Sequence, residues 1–339
     1  MQGEGDDRFT VRPATRDDVD GVVDLFNARS QRLYNENQAT RDVILGWWNS
    51  PRFDLARDTR IALAEDGRIV AWAHVRNPGK PYVSIGCAVT LRPELEDVEA
   101  LWDRLYAWGL DRASDFVPLA PPGTRVAVGE GANAVDAARR AAVERAGFAF
   151  TRIGNAMRID FDEPIPAPEW PEGIDVRTID IDQDLRHVVA ATEEAFLDHW
   201  GHVEQPFDQA LAEWRQSIED LGDAFDPSLW FLAFEDGKIV GAALCDDRIA
   251  DDTSRAYVRS LSVRPAWRRR GIALALLRHA FGELRRRGFV GVDLEMDSEN
   301  LTGALGLYTK AGMRVIRQTY VYEKELRPGA DLATREARG

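Results

Sequence analysis

The sequence repeats itself, and this repeat constrains the fold more than any other feature. Residues 65–73, EDGRIVAWA, match residues 235–243, EDGKIVGAA, at an offset of 170 residues. Residues 144–150, ERAGFAF, match residues 309–315, TKAGMRV, at an offset of 165 residues. Upstream of the first pair, a short strand and an amphipathic helix also correspond in the two copies. The sequence therefore predicts two copies of one mixed α/β fold.

A proline-rich segment separates the two copies. Residues 162–173, DEPIPAPEWPEG, contain four prolines and predict an extended, semi-rigid linker. The expected domains are residues 1–161 and 174–326. Residues 327–339 follow as a tail, which has few apolar side chains and is expected to fray.

Hydrophobic periodicity predicts the elements of the second copy. The predicted strands are 174–177, 230–235, 238–246, 255–263, 290–296 and 313–324. The predicted helices are 183–199, 207–220, 270–287 and 301–311.

Composition excludes several classes of protein. The 339 residues are 45% hydrophobic, and no window approaches the ~18 continuous apolar residues of a membrane span. The formal net charge of -14 argues against general binding to nucleic acid. The acidic N-terminus has no signal-peptide pattern, so we expect a soluble, cytoplasmic protein. Cys87 and Cys245 lie in apolar stretches, which predicts buried free thiols rather than a disulfide.

Against this acidic background, six arginines lie between Arg255 and Arg270 with no acid among them. The strand predicted at 255–263 ends at a proline, and Gly271 opens a long apolar helix. A helix start carries unpaired N–H groups and partial positive charge, and a glycine lets a phosphate approach the main chain. This arrangement favours a pyrophosphate site, although a solvated turn could carry the same residues.

The spacing of Arg268, Gly271 and Ala273 after a strand, followed by NLTGALGLYTKAGM at 300–313, resembles the acyl-CoA signature of the GNAT N-acyltransferase superfamily. The resemblance covers most of residues 174–326. It implies two tandem GNAT domains, each a mixed, mostly antiparallel twisted sheet flanked by helices. It also implies acetyl-CoA as the co-substrate.

By that resemblance, the main chain of residues 261–263 would bind the pantetheine arm and the amides of 269–273 the pyrophosphate. The residues implied in acetyl-CoA binding are Leu261, Ser262, Val263, Arg268, Arg269, Arg270, Gly271, Ile272, Ala273, Asn300, Ala304 and Lys310. Tyr308 would protonate the leaving thiolate as a general acid. Asn300 is also a suitable helix N-cap, and Tyr308 could simply pack on the sheet.

The first copy departs from this signature in two places. Aligning Arg92 with Arg264 sets EDVEAL at 96–101 against RRRGIA, so Glu99 replaces Gly271. Counting back from the Ala-Gly turn, Val143 occupies the place of Tyr308. We therefore expect the first copy to have lost acetyl-CoA binding and to serve as a scaffold and one wall of the acceptor site.

The general base is not evident from the sequence. The tandem arrangement resembles that of mycothiol synthase, which implies a catalytic glutamate at the position of Tyr257, but no acid lies on this strand. Asp293, Glu295 and Asp297 alternate along the next strand, and Glu295 is our candidate base, although the alternation could mark a solvent-facing side.

Residues 195–207, which contain His199 and His202, lie where GNAT folds build the acceptor pocket. Either histidine could instead accept the proton near neutral pH. His199, His202 and Tyr257 are therefore the predicted acceptor-binding residues. Two histidines without a clearly placed third ligand do not predict a metal site.

Together these features predict an N-acetyltransferase that moves an acetyl group from acetyl-CoA to a primary amine of a small-molecule or peptide acceptor by direct attack. The alternative is a catalytically impaired acetyl-CoA-binding regulatory or scaffold protein. Neither nucleic acid nor a membrane is an expected partner. The identity of the acceptor and the choice between monomer and homodimer stay open.

Overall fold

The computed structural model describes residues 8–77, 79–222, 225–248, 252–297 and 304–334. The chain divides into two compact units. The first unit contains Met1–Ile153 and Gln318–Leu332, and the second contains Gly154–Arg317 and Ala333–Gly339. Each unit thus includes a segment from the other sequence copy, and the domain limits expected at 161 and 174 stay predictions.

The first unit is a six-stranded sheet with helices. In pairing order, its strands are β1 (Thr10–Arg12), β2 (Thr59–Leu63), β3 (Ile69–Arg76), β4 (Ser84–Leu91), β5 (Val126–Asn133) and the C-terminal part of β12 (Arg314–Arg327). Its helices are α1 (Val19–Tyr34), α2 (Arg41–Trp48), α3 (Leu55–Asp58), α4 (Glu99–Ser114) and α5 (Ala137–Arg145). The β4–β5 pair is parallel and the others are antiparallel.

The second unit repeats this plan. In pairing order, its strands are the C-terminal part of β6 (Ala149–Asp160), β11 (Gly291–Asp297), β10 (Arg255–Val263), β9 (Lys238–Asp246), β8 (Trp230–Glu235) and β7 (Asp175–Thr178). Its helices are α6 (Ile181–Phe196), α7 (Phe207–Leu221), α8 (Ile272–Arg286) and α9 (Ala304–Lys310). Only the β10–β11 pair in this set is parallel.

The predicted fold class is confirmed, and the predicted elements of the second copy agree with the structure to within a few residues. The mixed, mostly antiparallel sheet is present in both units. Helix α6 ends at Phe196, before the predicted end at 199, so His199 lies in a turn. The first residues of the helix predicted at 301–311 lie outside the described residues.

The last strand of each copy pairs within the opposite unit. In the second unit, β11 pairs with β6, and Glu295 lies opposite Ala156. In the first unit, β5 pairs with β12, and Glu130 lies opposite Tyr322. The sequence predicts these strands, but local periodicity carries no information about which neighbour each one chooses.

Helix α8 fixes the position of the predicted phosphate loop. Its apolar side chains recur every three to four residues, and they pack on the sheet of the second unit. Leu276, Phe281 and Leu284 are fully buried. Full burial of each such side chain contributes about 1.5–3 kcal/mol, so the helix start at Gly271 is held firmly against the strands.

The tail is more ordered than predicted. Ala330 forms a bridge with Thr124 in the first unit, and Ala333 forms one with Val203 in the second. The expectation of fraying is therefore wrong for residues 330–334, because main-chain hydrogen bonds replace the apolar packing that this segment lacks.

Two chain-wide features also bear on the predictions. Cys87 and Cys245 are buried and free, as predicted. Among the helices of the described ranges, none is both long enough and apolar enough to cross a membrane.

Candidate active site

Strands β10 and β11 separate part of the way along their length. Their parallel pairing runs from Arg255 to Tyr257 and stops, although β10 continues to Val263. A register shift between Val258 and Ser260 marks a bulge in β10, and a bulge bends a strand and increases its twist. Within the described ranges, no strand pairs with residues 258–263 on the β11 side. A wedge of exposed main chain therefore opens between the two strands.

A cavity of about 860 Å³ occupies this wedge. Residues of β10, β11, the turn before α8, α9 and the end of α6 line it. Of the predicted site residues, the cavity wall contains His199, Leu261, Ser262, Val263, Arg268, Arg269, Gly271, Ile272, Ala273, Glu295, Ala304, Tyr308 and Lys310. The structure thus brings most of the predicted site together in the second unit.

Four predicted residues do not take part in this wall. Arg270, His202 and Tyr257 are described, and the cavity lining does not include them. Asn300 lies outside the described residues. Tyr257 is half-buried, and burial, followed by the charge of Glu295, raises its pKa.

The start of α8 has an uncapped and open geometry. Gly271 is its N-cap residue, has φ 90°, and no side chain caps the exposed amides. This left-handed conformation favours glycine, and a Cβ placed there would meet nothing within 4 Å. Arg269 also has a positive φ of 65°, so the main chain curls around the helix start. Unpaired amides, the helix dipole and open space together suit a phosphate.

Most of the arginine cluster is neutralised by carboxylates. Arg255 pairs with Asp160, Arg259 with Asp246, Arg264 with Glu194, Arg268 with Asp198, and Arg270 with Glu235. Among the described residues, Arg269 has no such partner, and neither has Lys310. Free positive charge on the cavity wall therefore comes from Arg269, Lys310 and the helix start rather than from the whole cluster.

Arg268 joins the turn before α8 to the end of α6. Its guanidinium donates to the carbonyl oxygens of Val263 at 3.2 Å and Ala195 at 2.7 Å. It also donates to the Asp198 carboxylate, with one contact of 3.0 Å, and this bond lowers the pKa of Asp198. Sequence reasoning missed Asp198, because the pair joins residues 70 positions apart.

Tyr308 faces the cavity from α9, on the same helix as Ala304 and Lys310. Burial raises its pKa to about 12, with a further contribution from Tyr257. The phenol therefore keeps its proton throughout the neutral range. A neutral hydroxyl at the cavity wall can donate a proton or a hydrogen bond to a reacting group.

The three carboxylates of β11 have different environments. Asp293 is buried and bonded to Arg158 at 2.7 Å and to Arg255 at 3.2 Å, so it is committed to structure. Glu295 is exposed and lines the cavity, as does Asp297. Glu295 forms no ion pair with any described residue.

The turn after α6 forms the opposite wall. Phe196, Asp198 and His199 all line the cavity. The His199 ring lies 4.4 Å from the ring of Phe196 in an edge arrangement. Burial lowers the pKa of His199, which favours the neutral form of its imidazole. Phe196 escaped the sequence analysis because an aromatic at a helix end carries no distinctive signal.

The corresponding space in the first unit is filled. At an offset of 165 residues, Glu130 corresponds to Glu295 and Arg139 to Ala304. Arg139 bonds Glu130 at 2.6 Å, and the Glu130 side chain is fully buried. Arg29 donates to the carbonyl oxygen of Leu91 at 2.8 Å and pairs with Asp136. Side chains thus occupy the region where the second unit is open.

Comparison with known proteins gives a consistent result. The Acetyltransferase (GNAT) family profile matches residues 188–313. A GCN5-related N-acetyltransferase from Sphaerobacter thermophilus superimposes with a TM-score of 0.83 and 34% identity, over 96% of this chain and 98% of that one. A tandem GNAT protein from the clavulanic acid biosynthesis pathway gives a TM-score of 0.72 over 95% of this chain and 99% of that chain, at 14% identity, a likeness of fold alone.

Among curated proteins, the mycothiol acetyltransferase of Thermobispora bispora is 34% identical over 177 residues. That alignment covers 49% of this chain and 56% of the relative, so the chain spans little more than half the length of that protein.

Proposed function

The chain belongs to the GCN5-related N-acetyltransferase (GNAT) family, and we propose that its second unit transfers an acetyl group from acetyl-CoA to a primary amine. The proposal rests on one observation. The start of α8, the separated strands β10 and β11, and Tyr308 all line the same cavity. A phosphate site, a free strand edge and a proton donor at one cavity are what this reaction requires.

The residues of the second unit fit acetyl-CoA. The main chain of residues 261–263 would bind the pantetheine arm as an added strand, because β11 has left that edge free. The amides of residues 269–273 would hold the pyrophosphate at the helix start. Arg269 and Lys310 supply positive charge for the remaining phosphate. When bound, acetyl-CoA supplies the activated acetyl thioester.

The reaction needs two proton transfers, and we assign each of them to a different residue of the cavity wall. A primary amine must lose a proton as its nitrogen bonds to the acetyl carbon, and the exposed carboxylate of Glu295 would accept that proton directly or through water. As the carbon–sulfur bond breaks, Tyr308 would donate its phenolic proton to the departing sulfur. No covalent link to the protein is needed, and His199 is the alternative base.

A small-molecule acceptor is the proposed substrate class. The name of the Thermobispora relative supports it, since that protein is a mycothiol acetyltransferase. Tyr257 stands where mycothiol synthase is expected to carry a catalytic glutamate, so identity of the acceptor does not follow from this likeness. The residues of the turn after α6, with Asp198 and His199 on the wall, would contact the acceptor.

The first unit is proposed to be silent toward acetyl-CoA. Support comes from the buried Arg139–Glu130 pair, which fills the region that is open in the second unit. Asp97, at the position of Arg269, keeps a positive φ of 53° but replaces the cation with an acid. The loop geometry persists there, while its charge would repel a phosphate.

One assay distinguishes this enzyme from the alternative, an acetyl-CoA-binding protein without catalytic activity. Purified chain is incubated with acetyl-CoA and a panel of spermidine, glucosamine, lysine, serine methyl ester and a short peptide. Release of free CoA thiol is followed by colour, and products are identified by mass spectrometry. Acetylation of at least one amine supports the enzyme, whereas calorimetric binding of acetyl-CoA with no product from any amine supports the alternative.

A further inference from the structure

The C-terminal segment is bonded directly to the turn after α6. The amide of Gly201 donates to the carbonyl oxygen of Thr334 at 2.7 Å, and the amide of Thr334 donates to the carbonyl oxygen of His202 at 2.8 Å. The Thr334 hydroxyl donates to the carbonyl oxygen of Leu197 at 3.2 Å. Ala333 adds an antiparallel bridge to Val203. One threonine therefore contacts the turn on both sides of Asp198 and His199.

These bonds satisfy groups that the turn itself leaves open. Leu197 is the C-cap of α6, and carbonyl groups at a helix end have no partner within the helix. Gly201 has φ 80°, a conformation that takes the chain out of the helix direction. The amide of Gly201 and the carbonyl of His202 thus face a strand-like partner, which residues 333–334 provide.

The other end of the turn after α6 is held by Arg268, which lies in the turn before α8. Arg268 binds the carbonyl oxygen of Ala195 at 2.7 Å and the Asp198 carboxylate. The wall formed by Phe196, Asp198 and His199 is therefore fixed by Arg268 on one side and by Thr334 on the other. Arg268 belongs to the predicted acetyl-CoA site, whereas Thr334 is not among the residues that line the cavity.

We propose that Thr334, together with Ala333, is a positioning residue for the acceptor wall: it acts through the turn at 197–203 and sets where Asp198 and His199 stand in the cavity. The role in acceptor binding rests on the proposed function, but the structural link can be measured without any acceptor. Acetyl-CoA binding should depend little on it, because Arg268 and the α8 start make no contact with Thr334 in the described hydrogen bonds.

Two truncations test the proposal. One chain ends after Leu332 and loses the contacts of Ala333 and Thr334 with the turn. Its matched control ends after Thr334 and keeps them. Hydrogen exchange at the Gly201 amide should accelerate about tenfold or more in the shorter chain, as expected when its main-chain partner is removed. Titration of the His199 ring by NMR should move up toward the usual histidine value as the wall loosens. The control should match the full chain in both measurements.

Function is read in the same variants. Calorimetry should give acetyl-CoA affinity within about twofold in both truncations, while the KM of any amine accepted in the panel rises about tenfold only in the shorter chain. Thr334→Val removes the hydroxyl bond to Leu197 and should give a smaller change of the same kind, and Thr334→Ser should restore full-chain behaviour. Equal behaviour of the two truncations, or loss of acetyl-CoA binding in the shorter chain, overturns the proposal. If no amine is acetylated but hydrogen exchange at Gly201 still differs between the two truncations, the result counts against the proposed acetyltransferase activity. It does not count against the link between Thr334 and the turn at 197–203.

Discussion

Arg139 lies 2.6 Å from Glu130 in the first unit, at positions that correspond to Ala304 and Glu295 in the second. Tyr106 also donates to Glu130, at 3.2 Å. In one copy the repeat position is filled by a guanidinium that neutralises a buried carboxylate. In the other copy the small side chain of Ala304 leaves Glu295 exposed to a cavity. At this repeat position, the arginine of the first unit fills space that the alanine of the second unit leaves open.

Arg139→Ala should destabilise the first unit strongly. The change leaves the Glu130 carboxylate buried without its cation, and breaking a buried ion pair typically costs about 3–5 kcal/mol. Urea unfolding followed by circular dichroism measures the loss. Arg145→Ala, on the same helix but in an exposed pair with Asp103, should cost no more than about 1 kcal/mol. Combining Arg139→Met with Glu130→Leu should recover most of the stability, and equal costs for Arg139→Ala and Arg145→Ala would argue against this account.

Calorimetry should find one acetyl-CoA per chain, because the buried Arg139–Glu130 pair of the first unit fills the region that is open in the second. Gly271→Glu should weaken binding by at least about a hundredfold, since it places a like charge against the phosphates and forces a strained φ. Gly282→Glu is the matched control, as it adds the same charge to an exposed position of α8 with nothing within 4 Å. A stoichiometry near two, or similar effects of both glutamates, would refute the single site.

The sequence predicts those features of the fold that depend on residues close together in the chain. The strands and helices of the second copy, and the glycine turn before α8, follow from periodicity and turn chemistry. The separation of β10 and β11 does not, because it depends on the pairing of strands that lie far apart in the sequence.

Long-range pairing sets the charges of the site, and it is equally hidden in the sequence. Six arginines suggest a strongly positive surface, yet carboxylates such as Asp198 and Glu235 neutralise most of them in the folded chain. Likewise, the tail is too polar to predict packing, and its order comes from hydrogen bonds to a turn that lies more than a hundred residues earlier. Such partners become visible only when the fold brings distant segments together.

Tyr308→Phe should lower kcat by a factor of ~10² to 10⁴ and leave acetyl-CoA affinity nearly unchanged, since the proton is needed only when the thiolate leaves. With its pKa raised to about 12, the phenol should stay protonated well above pH 10, so kcat should not decline between pH 7 and 10 through loss of this proton. Steady-state rates with an accepted amine test the fall in kcat and its dependence on pH. Tyr320→Phe, in the first unit, is the control. Unchanged turnover in Tyr308→Phe, under conditions where chemistry limits the rate, would assign Tyr308 to packing.

Glu295 and His199 are the two candidate bases, and both line the cavity, whereas His202 does not. If Glu295 accepts the proton, Glu295→Gln should lower kcat/KM at all pH values, but less at high pH, where more of the amine is already neutral.

If His199 accepts the proton, the acid limb of the profile should lie below about pH 6.5, because burial lowers the pKa of that ring, and His199→Ala should remove the inflection. We expect the Glu295 pattern, because its carboxylate is exposed to the cavity and unpaired among the described residues, whereas His199 packs on Phe196. His202→Ala is the control for loss of an imidazole near the same turn. Full activity in both Glu295→Gln and His199→Ala would mean that solvent takes the proton, and the wall at 196–199 would then serve only to bind the acceptor.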